Sequence, residues 1–160
     1  MKGGTLLIAN LGDWTQRVND LAKIKPTNHY WTRGKPTLGV PCMAQLFHRV
    51  VVITTGSGIG PCLGTLTKLS GTICRVIWCG SRPEENFGDL SHQVRQIDPQ
   101  ALIIDFKKTG RLNLEVLAWR MYTSMKAEAV FCVSNRDVTR KLIFELESRG
   151  VPAFGPIWDS

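Results

Sequence analysis

The sequence predicts an α/β domain built on a five-stranded parallel sheet with helices on both faces. Three observations lead to this prediction. Short apolar runs rich in β-branched residues recur along the chain, segments with helical spacing separate them, and a glycine-rich turn follows the first run. Strands covered on both faces read as continuous apolar runs, and their alternation with helices is typical of βαβ units.

Four strands of this sheet can be located along the sequence. They are residues 50–53, 73–78, 101–104 and 129–133. Between and after them, apolar residues at steps of three and four predict helices over 87–97, 114–121 and 138–146. We therefore assign residues 49–160 to the α/β domain.

Residues 1–48 are less regular and carry many turn-forming glycines and prolines. Within them, 5–9 and 29–31 read as strands, and Asp13 through Ile24 reads as a short helix. We expect this segment to be the end of a preceding domain, or an antiparallel extension packed on the α/β domain.

The charge balance favours anionic partners, because 20 Lys and Arg residues against 13 Asp and Glu residues give a net charge of +7. The basic residues are scattered and not interleaved with aromatic residues, which argues against nucleic acid. No apolar run approaches the roughly 18–20 residues that span a bilayer, and the first apolar stretch is too short for a secretory signal. We expect a cytoplasmic protein with no membrane span in this chain.

The five cysteines contain no C-x-x-C pair, and the three histidines lack metal-ligand spacing. Neither a disulfide framework nor a bound metal is expected, and Cys132 reads as a buried core thiol. Ser57 or a cysteine acting as a nucleophile would need a histidine or an acid beside it, and none is placed for that role in the sequence.

The strongest local signal is the glycine-rich turn after the first strand, Thr54-Thr55-Gly56-Ser57-Gly58-Ile59-Gly60-Pro61. Glycines let the backbone turn sharply, and Pro61 suits the first turn of a following helix. The free N–H groups of a helix N-terminus attract anions. Because Pro61 breaks the G-x-G-x-x-G pattern and no Gly-Lys-Ser/Thr follows, we predict a phosphate-binding loop of another type, with a plain tight turn as the alternative.

Charged residues follow the second and third strands, at the same predicted edge of the sheet. The Arg82 guanidinium suits a phosphate or an adenine face, or else it pairs with Glu84 or Glu85. Lys107, Lys108 and Arg111 follow the third strand and could hold the 2′-phosphate of NADPH. Asp105 favours NADH instead, since an acid at a strand end can hold a ribose 2′-hydroxyl. A solvated cationic loop is the alternative.

The fourth strand is followed by Ser134, Asn135 and Asp137. Each of these residue types commonly caps a helix N-terminus. Capping of the next helix is therefore the simplest interpretation of this segment.

These segments together resemble a known family. The sequence TGSGIGP at 55–61 looks like the T-G-[ST]-G-I-x-P loop of ferredoxin–NADP reductase-like proteins. Residues 76–78 with Arg82 resemble the second strand of the ferric reductase and NADPH oxidase branch, and 12–15 and 33–39 resemble the last strands of its flavin barrel. The likeness is closest to the reductase-like C-terminal region of fungal and plant adenylate-forming reductase-like proteins.

The resemblance implies a flavodoxin-like NAD(P)-binding domain at 49–160, preceded by the remnant of a flavin barrel at 1–48. It places three groups of residues along a bound dinucleotide. The pyrophosphate would be lined by Thr55, Gly56, Ser57, Gly58, Ile59 and Pro61. The adenosine end would meet Arg82, Lys107 and Lys108. The nicotinamide would be bordered by Ser134 and Asn135.

Two departures from the family pattern bear on the activity. Val133-Ser134-Asn135 stands where the family usually has Cys-Gly-Pro, and the barrel strand that holds the flavin is missing. We therefore expect a module that binds NAD(P)H, with NADPH slightly preferred, and presents it to a flavin held elsewhere. In this interpretation FAD needs a missing domain or a protein partner, and no catalytic residue is assigned. The alternative is a non-catalytic nucleotide-binding or protein-interaction module.

Overall fold

The chain divides into two units, Met1–Thr37 and Leu38–Ser160. A computed structural model describes residues 7–10, 12–25, 27, 29 and 39–157. None of the helices in this described part is long and apolar enough to cross a membrane.

The first unit contains one helix in its described residues, α1 (Asp13–Ile24), with the bounds that the sequence predicts. Leu7, Ile8 and Ala9 are not in a strand, so the predicted strand 5–9 is wrong at these residues, and Thr5 and Leu6 lie outside the described part. Tyr30 and Trp31 of the other predicted strand also lie outside it.

The likeness of residues 12–15 to a strand of a flavin barrel is not reflected in the structure. Gly12 lies at the N-cap of α1, and Trp14 and Thr15 are inside the helix. The Thr15 hydroxyl accepts a hydrogen bond from the Gly12 N–H at 3.0 Å, and this local bond favours a helix start over an extended strand. Of the second likeness, 33–39, only Gly39 is described.

The second unit begins with a 3₁₀ helix and then alternates strands and helices. Ala44 of the 3₁₀ helix is buried in the core with Val50, so this helix belongs with the sheet and the unit starts before the predicted division at 48/49. In chain order the elements are the 3₁₀ helix Val40–Leu46, β1 (Arg49–Thr55), a 3₁₀ turn (Gly56–Gly58), α2 (Ile59–Leu66), β2 (Ile73–Gly80), α3 (Pro83–Asn86), α4 (Leu90–Ile97), β3 (Leu102–Asp105), α5 (Phe106–Thr109), α6 (Leu114–Ser124), β4 (Ala129–Val133), α7 (Arg136–Glu147) and β5 (Ala153–Phe154).

The predicted parallel sheet is confirmed. Its five strands lie in the order β3-β2-β1-β4-β5 and all pair in parallel. Thr54 of β1 pairs with both Trp78 of β2 and Val133 of β4. The loops that follow these three strands therefore begin at one edge of the sheet.

Alternating residues of β1 pack into two separate cores, one on each face of the sheet. Val50 and Val52 pack with apolar residues of α2 and α4, whereas Val51 and Ile53 pack with those of α6 and α7. This alternation is the consequence of the two-residue period of a strand, and it confirms helices on both faces.

The predicted helix 87–97 begins later than its apolar spacing indicates. Gly88 has a φ of 50°, which interrupts the helical backbone and leaves Phe87 before α4. Phe87 still packs against the core that contains Val94 of α4. Its ring contacts the Trp78 ring edge-on, with the ring centroids 5.3 Å apart.

Candidate functional site

The glycine-rich loop connects β1 to α2 at the carboxyl edge of the sheet. Gly56 has a φ of 50°, and the backbone then makes one 3₁₀ turn before α2 begins at Ile59. No side chain accepts a hydrogen bond at the N-terminus of α2. The Ile59 N–H already donates to the Ser57 carbonyl oxygen, and Pro61 has no N–H. An external acceptor such as a phosphate would therefore bond to other backbone N–H groups of this turn, such as that of Ser57.

Gly58 and Ile59 of this loop are held by the protein core. A Cβ atom on Gly58 would lie 2.6 Å from the Val133 carbonyl oxygen and 2.7 Å from Thr54 Oγ1. Ile59 is fully buried, so only its backbone can face a ligand. Pro61 is exposed and is the third residue of α2, still within the first turn, where its missing N–H removes no helical hydrogen bond.

The ends of β1 and β4 are joined by a pair of hydroxyl groups. Thr55 Oγ1 and Ser134 Oγ share a hydrogen bond of 2.5 Å, and Ser134 is only 6% exposed. The Asn135 side chain accepts from the Val138 N–H at 3.0 Å, so Asn135 is the N-cap of α7 and the capping interpretation is confirmed for it. Ser134 and Asn135 thus lie beside the loop but already have partners within the protein.

Asp105 links the loops that follow β2 and β3. Its Oδ1 accepts from the backbone N–H groups of Arg82 and Lys107, each at 2.9 Å. These bonds, that of Arg82 first, hold the pKa of the Asp105 carboxyl below its ordinary value. Arg82 has a φ of 45°, an unusual value for a residue with a side chain, and the bond to Asp105 supports this conformation.

The Arg82 guanidinium forms the ion pair that the sequence offered as an alternative. Its Nη1 lies 3.3 Å from Glu85 Oε2, and both side chains are more than half exposed. An exposed pair of this kind is weak, so it does not prevent the guanidinium from meeting an anion.

A cavity of about 310 Å³ lies at the ends of β2 and β3. It brings Arg82, Asp105 and Lys108 together with apolar residues such as Ile103 and Leu112. Lys107 is not among its lining residues, although it neighbours Lys108 in sequence. The structure therefore separates the two lysines that the sequence treats alike.

A second cavity, of about 550 Å³, lies between the N-terminal ends of α6 and α7, and Leu112 lines both cavities. Thr55 and Asn135 line it, as does Arg111. Two further lining residues, Glu115 and Lys141, form an ion pair of 2.8 Å that the sequence analysis missed. The partners sit on different helices, and no sequence spacing signals their contact.

Glu115 and Lys141 are both charged residues that line this cavity. Burial acts to raise the pKa of Glu115, but the hydrogen bond and charge of Lys141 outweigh it, and the pKa is lowered. The same pair raises the pKa of Lys141. Both groups are therefore charged at neutral pH.

The buried thiols do not form a nucleophilic site. Burial raises the pKa of Cys62 and of Cys132 to about 12, and that of Cys79 to about 11. A nucleophilic cysteine needs a lowered pKa, so these three are core thiols, as expected for Cys132. Among the described residues, no group of three or more His, Cys, Asp and Glu side chains could hold a metal ion.

Comparison with known proteins identifies the family. The family model described as "Adenylate-forming reductase 03009, C-terminal domain" matches residues 40–160. The chain belongs to this family. The match begins at the first residue of the 3₁₀ helix Val40–Leu46, so it covers the whole described sheet unit from that helix onward.

Two relatives from Coprinopsis cinerea are similar to nearly the entire chain. They are adenylate-forming reductase 03009 and adenylate-forming reductase 06235, each 38% identical over 99% of this chain. The chain spans only 15% of the length of either relative. In these relatives the adenylate-forming reductase C-terminal domain is thus one part of a larger reductase.

Proposed function

We propose that this domain binds NAD(P)H and presents it for hydride transfer to a flavin held by another domain or protein. The observation that carries the proposal is the glycine loop at the end of β1, with the uncapped start of α2 beside it. A diphosphate there would accept hydrogen bonds from backbone N–H groups and meet the positive end of the helix dipole.

The position of the loop in the sheet supports this proposal. In the order β3-β2-β1-β4-β5, β2 and β3 lie on one side of β1 and β4 and β5 on the other, so the order in which strands are added reverses between β1 and β4. Ligands of open parallel sheets bind at the carboxyl ends of the strands next to such a reversal. Thr55 and Ser134 lie at that point, and Thr55 also lines the larger cavity.

We assign the adenosine end of the dinucleotide to the smaller cavity and the nicotinamide to the region of Ser134 and Asn135. Arg82 and Lys108 would meet a 2′-phosphate, which favours NADPH. Asp105 already accepts two backbone hydrogen bonds on Oδ1, so its role as acceptor for the ribose of NADH has less support.

The residues described for the first unit do not fit a flavin. They form the helix α1, with Trp14 63% exposed, and include no barrel strand. We therefore place the flavin outside the described residues. The reduced nicotinamide of a bound coenzyme supplies the hydride. The role of this chain is to bind and orient that coenzyme, and no side chain acts as acid or base.

The Lys108→Ala variant tests the coenzyme assignment. If Lys108 meets a 2′-phosphate, the variant should bind NADPH roughly tenfold more weakly, which corresponds to one charge-assisted hydrogen bond, and bind NADH as before. Lys107→Ala is the matched control, since Lys107 does not line the cavity, and it should change neither affinity. Equal losses of NADPH and NADH affinity in Lys108→Ala would contradict the assignment.

A non-catalytic module that binds a nucleotide or a protein is the second candidate. Two observations at the end of β4 favour this second candidate. Ser134 is buried there and hydrogen-bonded to Thr55, and Cys132 is a core thiol whose pKa is raised by burial. Reduction of FAD by NADPH distinguishes the candidates when the flavin-binding domain or protein is also present, since only the first candidate then predicts that this chain speeds the loss of the oxidised flavin absorbance.

A further inference from the structure

Trp78 of β2 lies directly beneath the glycine loop. Its side chain is fully buried, and its Nε1 donates a hydrogen bond of 2.9 Å to the carbonyl oxygen of Gly56. The Phe87 ring packs against the indole at a centroid distance of 5.3 Å. The indole is thus fixed by the core on one side and bonded to the loop on the other.

This hydrogen bond sets the orientation of the peptide group between Gly56 and Ser57. Gly56 has a φ of 50°, a conformation that glycine adopts freely. The described chain has no cis peptide bond, so the carbonyl and the N–H of this peptide group point in opposite directions. With the Gly56 carbonyl turned toward Trp78, the Ser57 N–H points away from the indole.

We propose that Trp78 is a positioning residue that holds the backbone of the loop ready for the diphosphate of a dinucleotide. Rotation of the Gly56–Ser57 peptide would leave a buried indole N–H without an acceptor, which is costly. Trp78 therefore fixes the direction of the Ser57 N–H before a ligand arrives. The inference rests on the proposed function, because it names a group that prepares the same site.

The test compares ligands with and without a diphosphate. ADP carries one, whereas adenosine does not, and NMR titration of the whole chain measures both affinities even when they are weak. Trp78→Phe removes the indole donor and should weaken ADP binding roughly tenfold, the value of one hydrogen bond, while adenosine binding is unchanged. Phe87→Leu is the matched control, since it alters packing on the indole but keeps the donor, and its ADP affinity should equal that of the wild type.

A second variant keeps the shape of the indole. Incorporation of 3-benzothienylalanine at position 78 replaces the N–H by sulfur with little change in volume, and it should show the same selective loss of ADP affinity even if Trp78→Phe does not fold. Unchanged ADP affinity in a variant without the donor overturns the positioning role, and so does an equal loss for ADP and adenosine. A wild-type chain that binds neither ligand contradicts the proposed function itself.

Discussion

Gly58→Ala is expected to lower the free energy of unfolding by about 3 kcal/mol, the upper part of the range for overpacked sites. The new methyl group would lie 2.6 Å from the Val133 carbonyl oxygen and 2.7 Å from Thr54 Oγ1. Neither atom can move easily, because Val133 belongs to the interior strand β4 and Thr54 Oγ1 donates to that same carbonyl at 2.9 Å. Urea denaturation followed by circular dichroism measures the change.

Gly64→Ala is the matched control for this variant. Gly64 lies inside α2 and no atom lies within 4 Å of a Cβ built on it, so alanine should stabilise the protein by about 0.5–1 kcal/mol. A Gly58→Ala variant as stable as the wild type would show that the loop does not pack tightly on β4 at Gly58.

The packing of Gly58 changes how its substitution should be read. From sequence alone, a larger residue at 58 would be expected to abolish nucleotide binding in a folded chain. The structure indicates that Gly58 is required first for the approach of the loop to β4. A loss of binding in Gly58→Ala would therefore be no evidence for ligand contact. Variants that leave the loop packing intact, such as Lys108→Ala, are the better tests.

The second large effect is expected for Asp98→Ala, at about 3 kcal/mol of lost stability, the lower end of the range for a buried ion pair that loses one partner. Asp98 is 3% exposed, and its Oδ1 lies 2.6 Å from Arg75 Nη1. Its Oδ2 accepts from the Val76 N–H at 2.8 Å. Because the pairing of β3 with β2 begins only at Ile77, Asp98 takes the place of a strand partner for Val76.

Asp89→Ala serves as the control for the loss of an aspartate. Asp89 is an exposed residue before α4 whose side chain makes no capping hydrogen bond, so its removal should change stability by no more than about 0.5 kcal/mol. Equal thermal and urea stabilities of Asp98→Ala and Asp89→Ala would show that the Asp98 contacts contribute nothing to folding.

Much of the fold could be predicted because it rests on local patterns. The strands beginning at Arg49, Ile73, Leu102 and Ala129 are apolar runs that pack against both cores, and their pattern is visible without any tertiary information. The short strand Ala153–Phe154 has too few residues to show a period. The likeness of residues 12–15 to a barrel strand was misleading, since the capping bond of Thr15 and the helical spacing of α1 decide the local structure.

In the candidate site, too, the contacts between residues close in sequence could be predicted and those between separate elements could not. The glycine loop, the Asn135 cap and the Arg82–Glu85 pair involve residues close in sequence, and the sequence indicates all three. The Trp78–Gly56 bond and the Glu115–Lys141 pair join separate elements. Such contacts depend on how the elements pack, which residue spacing does not encode. Lys107 and Lys108 illustrate the limit, because only the folded chain distinguishes them.

Calorimetric titration of the purified chain with NADPH and with NADH tests directly whether the domain binds a nicotinamide coenzyme. We expect heat of binding with a dissociation constant in the micromolar range, on the order of −8 kcal/mol of binding free energy, and a preference for NADPH. Circular dichroism of the same sample establishes that the chain is folded. A folded chain that gives no heat with either coenzyme would contradict NAD(P)H binding by this domain and leave the sheet as a scaffold for protein contacts.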